Sequence, residues 1–145
     1  MKIKKLNNYA KIPTRGSEGS AGYDLYACIP DGTAMITIQP HETVVVGTGL
    51  AIQIPHGYFG GIFARSGLAK YGVRPSNCVG VCDEDYTGEY MVSLHNDSNE
   101  PRVISHMDRI AQLIILPYAT VNFEVVDELD CTKRGDGGFG STGLK

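Results

Sequence analysis

At 145 residues, with 42% hydrophobic and 20% charged side chains and a formal net charge of −3, the chain fits one domain with its own core and offers no broad basic face for long nucleic acid. Eighteen glycines and seven prolines favour short strands and many turns over helices. The start, MKIKKLNNYA, is basic but lacks the apolar core of a signal peptide, and no run reaches the length of a membrane span, which predicts a soluble intracellular protein, cytoplasmic or nuclear, without membrane contact.

Ile3 to Leu6 reads as a first strand, and the following KIPTRGSEGSAG as a loop rich in Gly, Ser and Pro. In AGYDLYACIP, Tyr23 and Leu25 alternate with Asp24 and Tyr26, so a strand there carries Asp24 on the face opposite its apolar neighbours. Pro30, Asp31 and Gly32 predict a turn, Ala34 to Ile38 a strand, and Glu42 to Val46 and Leu50 to Ile54 two more, each ending in Gly or Pro. Tyr58 to Ala64 reads as strand, after which Ser66 is placed to cap one helical turn through Leu68, Ala69 and Lys70. Arg65, Ser66 and Gly67 then form either a plain connector or a small anion cradle, since helix starts present free N–H groups.

GVCDEDYTGE, Gly80 to Glu89, sets Asp83, Glu84, Asp85 and Tyr86 between two apolar runs, Cys78 to Cys82 and Tyr90 to Leu94, and predicts a β-hairpin. Acids gathered so closely repel one another. They are either a solvated turn or hold a carboxylate that activates water or reaches a metal. Arg102 to Ser105 and Arg109 to Pro117 read as strands, the second with Gln112 inside an apolar run, where a buried amide must find a partner, structural or otherwise. Val121 to Leu129 predicts a last strand. CTKRGDGGFGSTGLK cannot build a core and is either a disordered tail or a glycine-rich segment suited to wrapping phosphate; it lacks the lysine-serine ending of a Walker loop. Cys28, Cys78, Cys82 and Cys131 lack zinc-finger or redox spacing and read as buried reduced thiols, the middle pair on one strand face, and the four histidines form no metal-ligand pair.

Five segments, AGYDLYA, ARSGLA, GVCDEDYTGE, RIAQLII and RGDGGFGSTG, in this order, resemble the five motifs of the trimeric dUTPases, the deoxyuridine 5′-triphosphate nucleotidohydrolases. The resemblance implies an all-β fold, a distorted jelly-roll or β-barrel subunit over residues 1–130. It also implies a flexible glycine-rich arm over 131–145 that closes an active site of a neighbouring subunit in a homotrimer. The implied activity is magnesium-assisted hydrolysis of dUTP to dUMP and pyrophosphate, which limits uracil in DNA and supplies dUMP for thymidylate synthesis.

By the same resemblance Asp83 is the base that deprotonates the attacking water, and Tyr86 packs on deoxyribose and leaves no room for a 2′-hydroxyl. Asn77, the backbone of Gly80, Val81, Cys82 and Asp83, and Met91 receive uracil. Arg65, Ser66, Gly67 and Gln112 bind phosphate. Asp24 approaches the magnesium, mostly through water. Arg134 steadies phosphate charge, Phe139 covers uracil, and Gly140, Ser141 and Thr142 complete the substrate contacts of the arm. Three positions depart from the commonest pattern: Ala64 replaces Gly or Pro, Thr87 an arginine and Cys82 a branched aliphatic. Cys82, beside Asp83, is a candidate point of sensitivity to thiol reagents. Other expectations from the residues are a dCTP deaminase on the same fold and a non-catalytic nucleotide-binding module.

Overall fold

The computed structural model describes residues 1–29 and 35–138. The predicted turn at Pro30, Asp31 and Gly32, the first residue of the strand predicted from Ala34, and the arm residues Phe139, Gly140, Ser141 and Thr142 lie outside that range. The described elements are strands β1 (Lys2–Lys5), β2 (Thr14–Arg15), β3 (Tyr23–Tyr26), β4 (Met35–Ile38), β5 (Thr43–Gln53) and β6 (Tyr58–Phe63), a single helical turn α1 (Ser66–Ala69), then β7 (Val73–Pro75), β8 (Gly80–Cys82), β9 (Glu89–Asn96), β10 (Arg102–Ser105) and β11 (Arg109–Pro117). The fold is all-β, as expected from the glycine and proline content. Three sheets are described, ordered β1-β5-β9-β7, β10-β4 and β2-β3-β11-β6-β8, and every paired strand is antiparallel.

One core joins them, with Leu25, Ile38, Leu50, Ile52, Tyr90, Leu94, Ile104, Ile110 and Leu113 almost wholly excluded from solvent. The strands reach it through period-two alternation, clearest in β9, where Tyr90, Val92, Leu94 and Asn96 face inward. Asn96 is the polar exception, and its amide donates to the carbonyls of Ile38, Gln39 and Glu100. Among the described residues no helix is long and apolar enough to cross a membrane.

Four expectations are corrected. The two strands expected between Glu42 and Ile54 are one 11-residue strand, β5, interrupted only by a bulge between Gly47 and Ala51. The bulge survives because Glu89 reaches across to accept the Gly49 N–H at 2.8 Å, and because Gly49 takes φ +67° where a Cβ would lie 2.9 Å from both Ala10 Cβ and Cys28 Sγ.

The predicted hairpin at Gly80 to Glu89 is a crossing between sheets: β8 pairs with β6, whereas β9 pairs with β5 and β7. Two strand-like runs with a glycine-containing link look alike in either case. Ser66 is the first residue of its turn rather than the cap, which Arg65 occupies in extended conformation without a side-chain cap bond. Val121 to Leu129 is irregular and exposed, Phe123 at 93% and Val125 at 98%, because an extended segment needs a hydrogen-bonding neighbour and the body, whose last strand ends at Pro117, offers it none.

Candidate active site

The fold collects the site residues into two groups. The first is built on the centre of the five-stranded sheet, where β11 runs between β3 and β6 and Gln112 stands opposite Asp24 on one side and Phe63 on the other. Directly opposed residues share a face, and Arg65, two positions past Phe63, falls on it as well. Asp24 is 3% exposed, and its charge is met from two directions, by Arg65 Nε at 2.8 Å from Oδ1 and by Arg109 Nη1 at 3.2 Å from Oδ2. A carboxylate so buried is tolerated only when paired.

Arg109 is the residue sequence reasoning passed over. It opens the RIAQ segment, and a buried aspartate always asks for cations, but only the strand register reveals which ones answer. Gln112 is half-buried and lies over Gly22, where a Cβ would come within 3.2 Å of Gln112 Cβ. Among the described residues no hydrogen bond holds its amide. Ser66 and Gly67 are exposed beside it, and as the first donors of a helical turn their N–H groups have no intrahelical acceptor.

The second group surrounds the gap that replaces the expected hairpin. β8 is the last strand of its sheet, so one of its edges is unpaired. On the other side of the gap, β7 covers only Leu94, His95 and Asn96 of β9. Ser93 turns its carbonyl to the Ser76 N–H just past β7, at 2.8 Å, so by the two-residue period Met91 turns its own N–H and C=O the same way, beyond the end of β7. Chain direction changes at Asn77 and Cys78, the latter at φ +61°, and Asn77 stays next to Gly80, with Nδ2 3.6 Å from where a Gly80 Cβ would stand. Two strand edges are thus left open, one along β8 with Asn77 near it and one at Met91, whose side chain is exposed.

Tyr86 folds back over the loop. Its hydroxyl donates to the Glu89 carbonyl at 2.9 Å, and its ring covers Gly88, where a Cβ would lie 2.5 Å from the hydroxyl oxygen. Beneath it Tyr90 lies with ring centroids 6.1 Å apart. The Tyr90 hydroxyl is buried with no partner in good hydrogen-bond geometry. Burial first, then the neighbouring Cys82 thiol, holds its phenol protonated well above the usual tyrosine range. Cys82 is itself raised above the usual thiol range, chiefly by burial, so it is a poor nucleophile and not the exposed point of thiol sensitivity expected beside Asp83. The other buried cysteine is Cys28, whereas Cys78 and Cys131 are exposed, so only half of the thiols follow the expected burial. Cys78 also lies outside β8 and shares no strand face with Cys82.

Asp83 is exposed and lines, with Phe59, Val81, Glu84, Asp85 and Tyr118, a cleft of about 590 Å³. Cys82 is paired with Gly60, so Asp83 comes level with Phe59, six residues along the chain from Arg65. At about 3.3 Å per extended residue that is roughly 20 Å. Arg134 is not brought to either group: its Nε donates to the Gly137 carbonyl at 2.8 Å within its own exposed segment. Thr87, which lacks the expected arginine charge, lines a shallow cleft with Lys2 and Lys4.

A magnesium ion finds no cage here. Both Asp24 oxygens are engaged by arginines, and among the described residues no three His, Cys, Asp or Glu side chains gather as ligands. Such an ion would have to take most of its ligands from phosphate oxygens and water rather than from this chain.

The dUTPase family model matches residues 8–143. The deoxyuridine 5′-triphosphate nucleotidohydrolase of Hahella chejuensis is 46% identical over 144 residues, spanning 98% of this chain and 93% of that protein. The enzyme of the same name from Orientia tsutsugamushi (strain Ikeda) is 42% identical over all of this chain and 99% of its own. Among solved structures, the Staphylococcus bacteriophage 80alpha dUTPase G164S mutant with dUpNHpp superposes with a TM-score of 0.87 at 26% identity, over 99% of this chain and 98% of that one. A buried aspartate shared by two arginines, two open strand edges and an acidic cleft therefore sit on the framework of a known group, and the chain belongs to the dUTPase family.

Proposed function

We propose that the chain hydrolyses dUTP to dUMP and pyrophosphate in sites shared between subunits of a jelly-roll homotrimer. The observation that carries the shared site is the register on β6. A base and the water it activates must lie within about 3–3.5 Å of the reacting atom. An Asp83 roughly 20 Å from the Arg65 of its own chain cannot serve a phosphate held by that arginine. Two chains resolve this, one supplying the slot and Asp83, the other Arg65, Ser66, Gly67 and Gln112. The exposed Val121, Phe123, Val125 and Leu129 support the same reading, because apolar side chains in such number are expected to be covered by a neighbour. The body then spans residues 1–130 and the arm 131–145.

Uracil enters between β8 and β9, where the unpaired backbone of Gly80 to Cys82 and of Met91, with the Asn77 amide, meets its polar edge. Cytosine presents the opposite donor pattern and leaves those groups unpaired, a large penalty. Thymine is excluded sterically by its methyl group. The Tyr86 ring occupies the space beside C2′ that a ribonucleotide hydroxyl would need. Asp83 takes the proton of the attacking water as its oxygen bonds to the α-phosphorus, and the bond from that phosphorus to the bridging oxygen breaks, releasing pyrophosphate. Arg65, and Arg134 arriving with the arm, face the phosphate charge, while Phe139 lies on uracil and Gly140, Ser141 and Thr142 meet the phosphates. Magnesium, when bound, would neutralise charge on the phosphate oxygens, and Asp24 is the carboxylate of this chain that would help to hold it. The setting is soluble and intracellular, cytoplasm or nucleus, with no long nucleic acid as partner.

Complementation tests the reading. Asp83→Asn and Arg65→Ala proteins, each inactive, are unfolded, mixed and refolded together. Random assembly then restores up to about one site in four if each site draws these residues from different chains. Mixtures as inactive as either parent refute the shared site. Pyrophosphate release from dUTP far above that from dCTP, dTTP and UTP checks specificity.

A further inference from the structure

We propose that Glu84 is the positioning residue for Asp83: its carboxylate ties the loop bearing the base to the turn between β5 and β6 and to the root of the C-terminal segment. The inference rests on the reading of Asp83 as base. Three adjacent acids look interchangeable in sequence, but their surroundings differ. Glu84 Oε2 accepts the Gly57 N–H at 2.6 Å, and Oε1 lies 2.8 Å from His56 Nδ1. The bond to Gly57 is the stronger anchor. It is charge-assisted, and its donor is aimed by a turn that Gly57 holds at φ +80°, whereas His56 is 95% exposed and adds little.

The Gly57 carbonyl in turn accepts the N–H of Tyr118, the first residue after β11, at 3.1 Å. Tyr118 and Glu84 both line the cleft that holds Asp83. Hydrogen bonds from His56 and Gly57 hold the Glu84 carboxyl below the usual range, and the neighbouring Glu84 carboxylate raises the Tyr118 phenol.

Asp83 needs such an anchor. Among the described residues no hydrogen bond holds its carboxylate, so its aim is set by the backbone. That backbone is a turn closed by the Tyr86 N–H on the Asp83 carbonyl at 3.2 Å, with Glu84 as its first inner residue. Fixing the Glu84 side chain to β5–β6 therefore fixes the Cα from which Asp83 projects. Glu84→Ala frees the loop, whereas Glu84→Gln keeps one oxygen for the Gly57 N–H.

The experiment measures kcat and KM for dUTP, and the Kd of the non-hydrolysed analogue dUpNHpp, in the full-length Glu84→Ala, Glu84→Gln and Asp83→Asn proteins. Misplacing a reacting group by about 1 Å costs on the order of 100-fold, so Glu84→Ala is expected to lower kcat about 10- to 100-fold with analogue Kd changed less than about threefold, and Glu84→Gln to recover much of the loss. A kcat within about twofold of the parent in both Glu84 variants, while Asp83→Asn is inactive, overturns the inference alone. Parallel loss of kcat and analogue binding overturns it too, since that marks a loosened site. Should Asp83→Asn retain turnover, the base assignment falls and this inference with it. If Glu84→Ala fails to fold, Glu84→Leu, which also lacks an acceptor for the Gly57 N–H, is judged by the criteria set for the alanine variant.

Discussion

Arg65 Nε donates to Asp24 Oδ1 at 2.8 Å across 41 residues of chain, and the pair aims a guanidinium that would otherwise range freely over the surface. Asp24→Ala removes the partner that Arg65 and Arg109 share. Because Arg65 is mostly buried and Arg109 half exposed, the expected loss of stability by denaturant unfolding is about 1–3 kcal/mol. Activity should fall further than stability, since in the proposed site an unaimed Arg65 would no longer meet phosphate. Arg109→Ala should cost less than about 1 kcal/mol, as expected for a half-exposed pair.

Asp83→Asn keeps the shape of the loop and removes the proposed base. Turnover is expected to drop by about 100- to 10,000-fold, with oligomeric state and dUpNHpp affinity retained. Retained turnover in a pyrophosphate assay would refute the assignment.

Truncation before Arg134 leaves every described strand in place. Circular dichroism and thermal unfolding should match the full chain. In related phosphoryl chemistry an arginine that arrives with a closing segment is worth about 1,000-fold or more, and a loss of that order in kcat is expected here. An unaffected rate would make the tail a bystander.

Gly49→Ala tests the bulge in β5. Positive φ alone costs about 1–2 kcal/mol for a residue with a Cβ, and the added methyl group would press on Ala10 and Cys28. The midpoint of urea unfolding should fall accordingly, while Gly57→Ala, with open space around its Cβ, should show only the conformational cost.

Thiol titration distinguishes the cysteines. Cys78 and Cys131 are exposed, Cys28 and Cys82 buried, so an aromatic disulfide reagent should modify two thiols per native chain quickly and the others only on unfolding. Rapid modification of Cys82 would contradict its burial.

The sequence carried strand identity well in β3, where residues alternate, and in the apolar run of β11, and the motif resemblance named the family that the comparisons show. What it concealed was pairing. Period-two patterning reports which face of a strand is buried, never which strand lies beside it, so the crossing from β8 to β9 looked like a hairpin. The same blindness hid Arg109, which meets Asp24 only because β11 and β3 are neighbours. β5 was cut in two because Gly47 and Gly49 punctuate it, and the compensating Glu89 lies 40 residues from Gly49. Val121 to Leu129 has the composition of a strand but finds no partner among the described residues.

The gap between β8 and β9 bears on how this enzyme can change over generations. On the proposed reading its recognition surface is main chain apart from the Asn77 amide, and a main-chain N–H or carbonyl is the same whatever side chain the codon specifies. A point mutation can widen or narrow the opening but cannot swap a donor for an acceptor along Gly80 to Cys82 or at Met91. Base choice would thus be sheltered from ordinary substitution everywhere but at Asn77. To acquire a preference for cytosine, the lineage would have to insert or delete a residue and slide one edge against the other, an event far rarer than a change of letter.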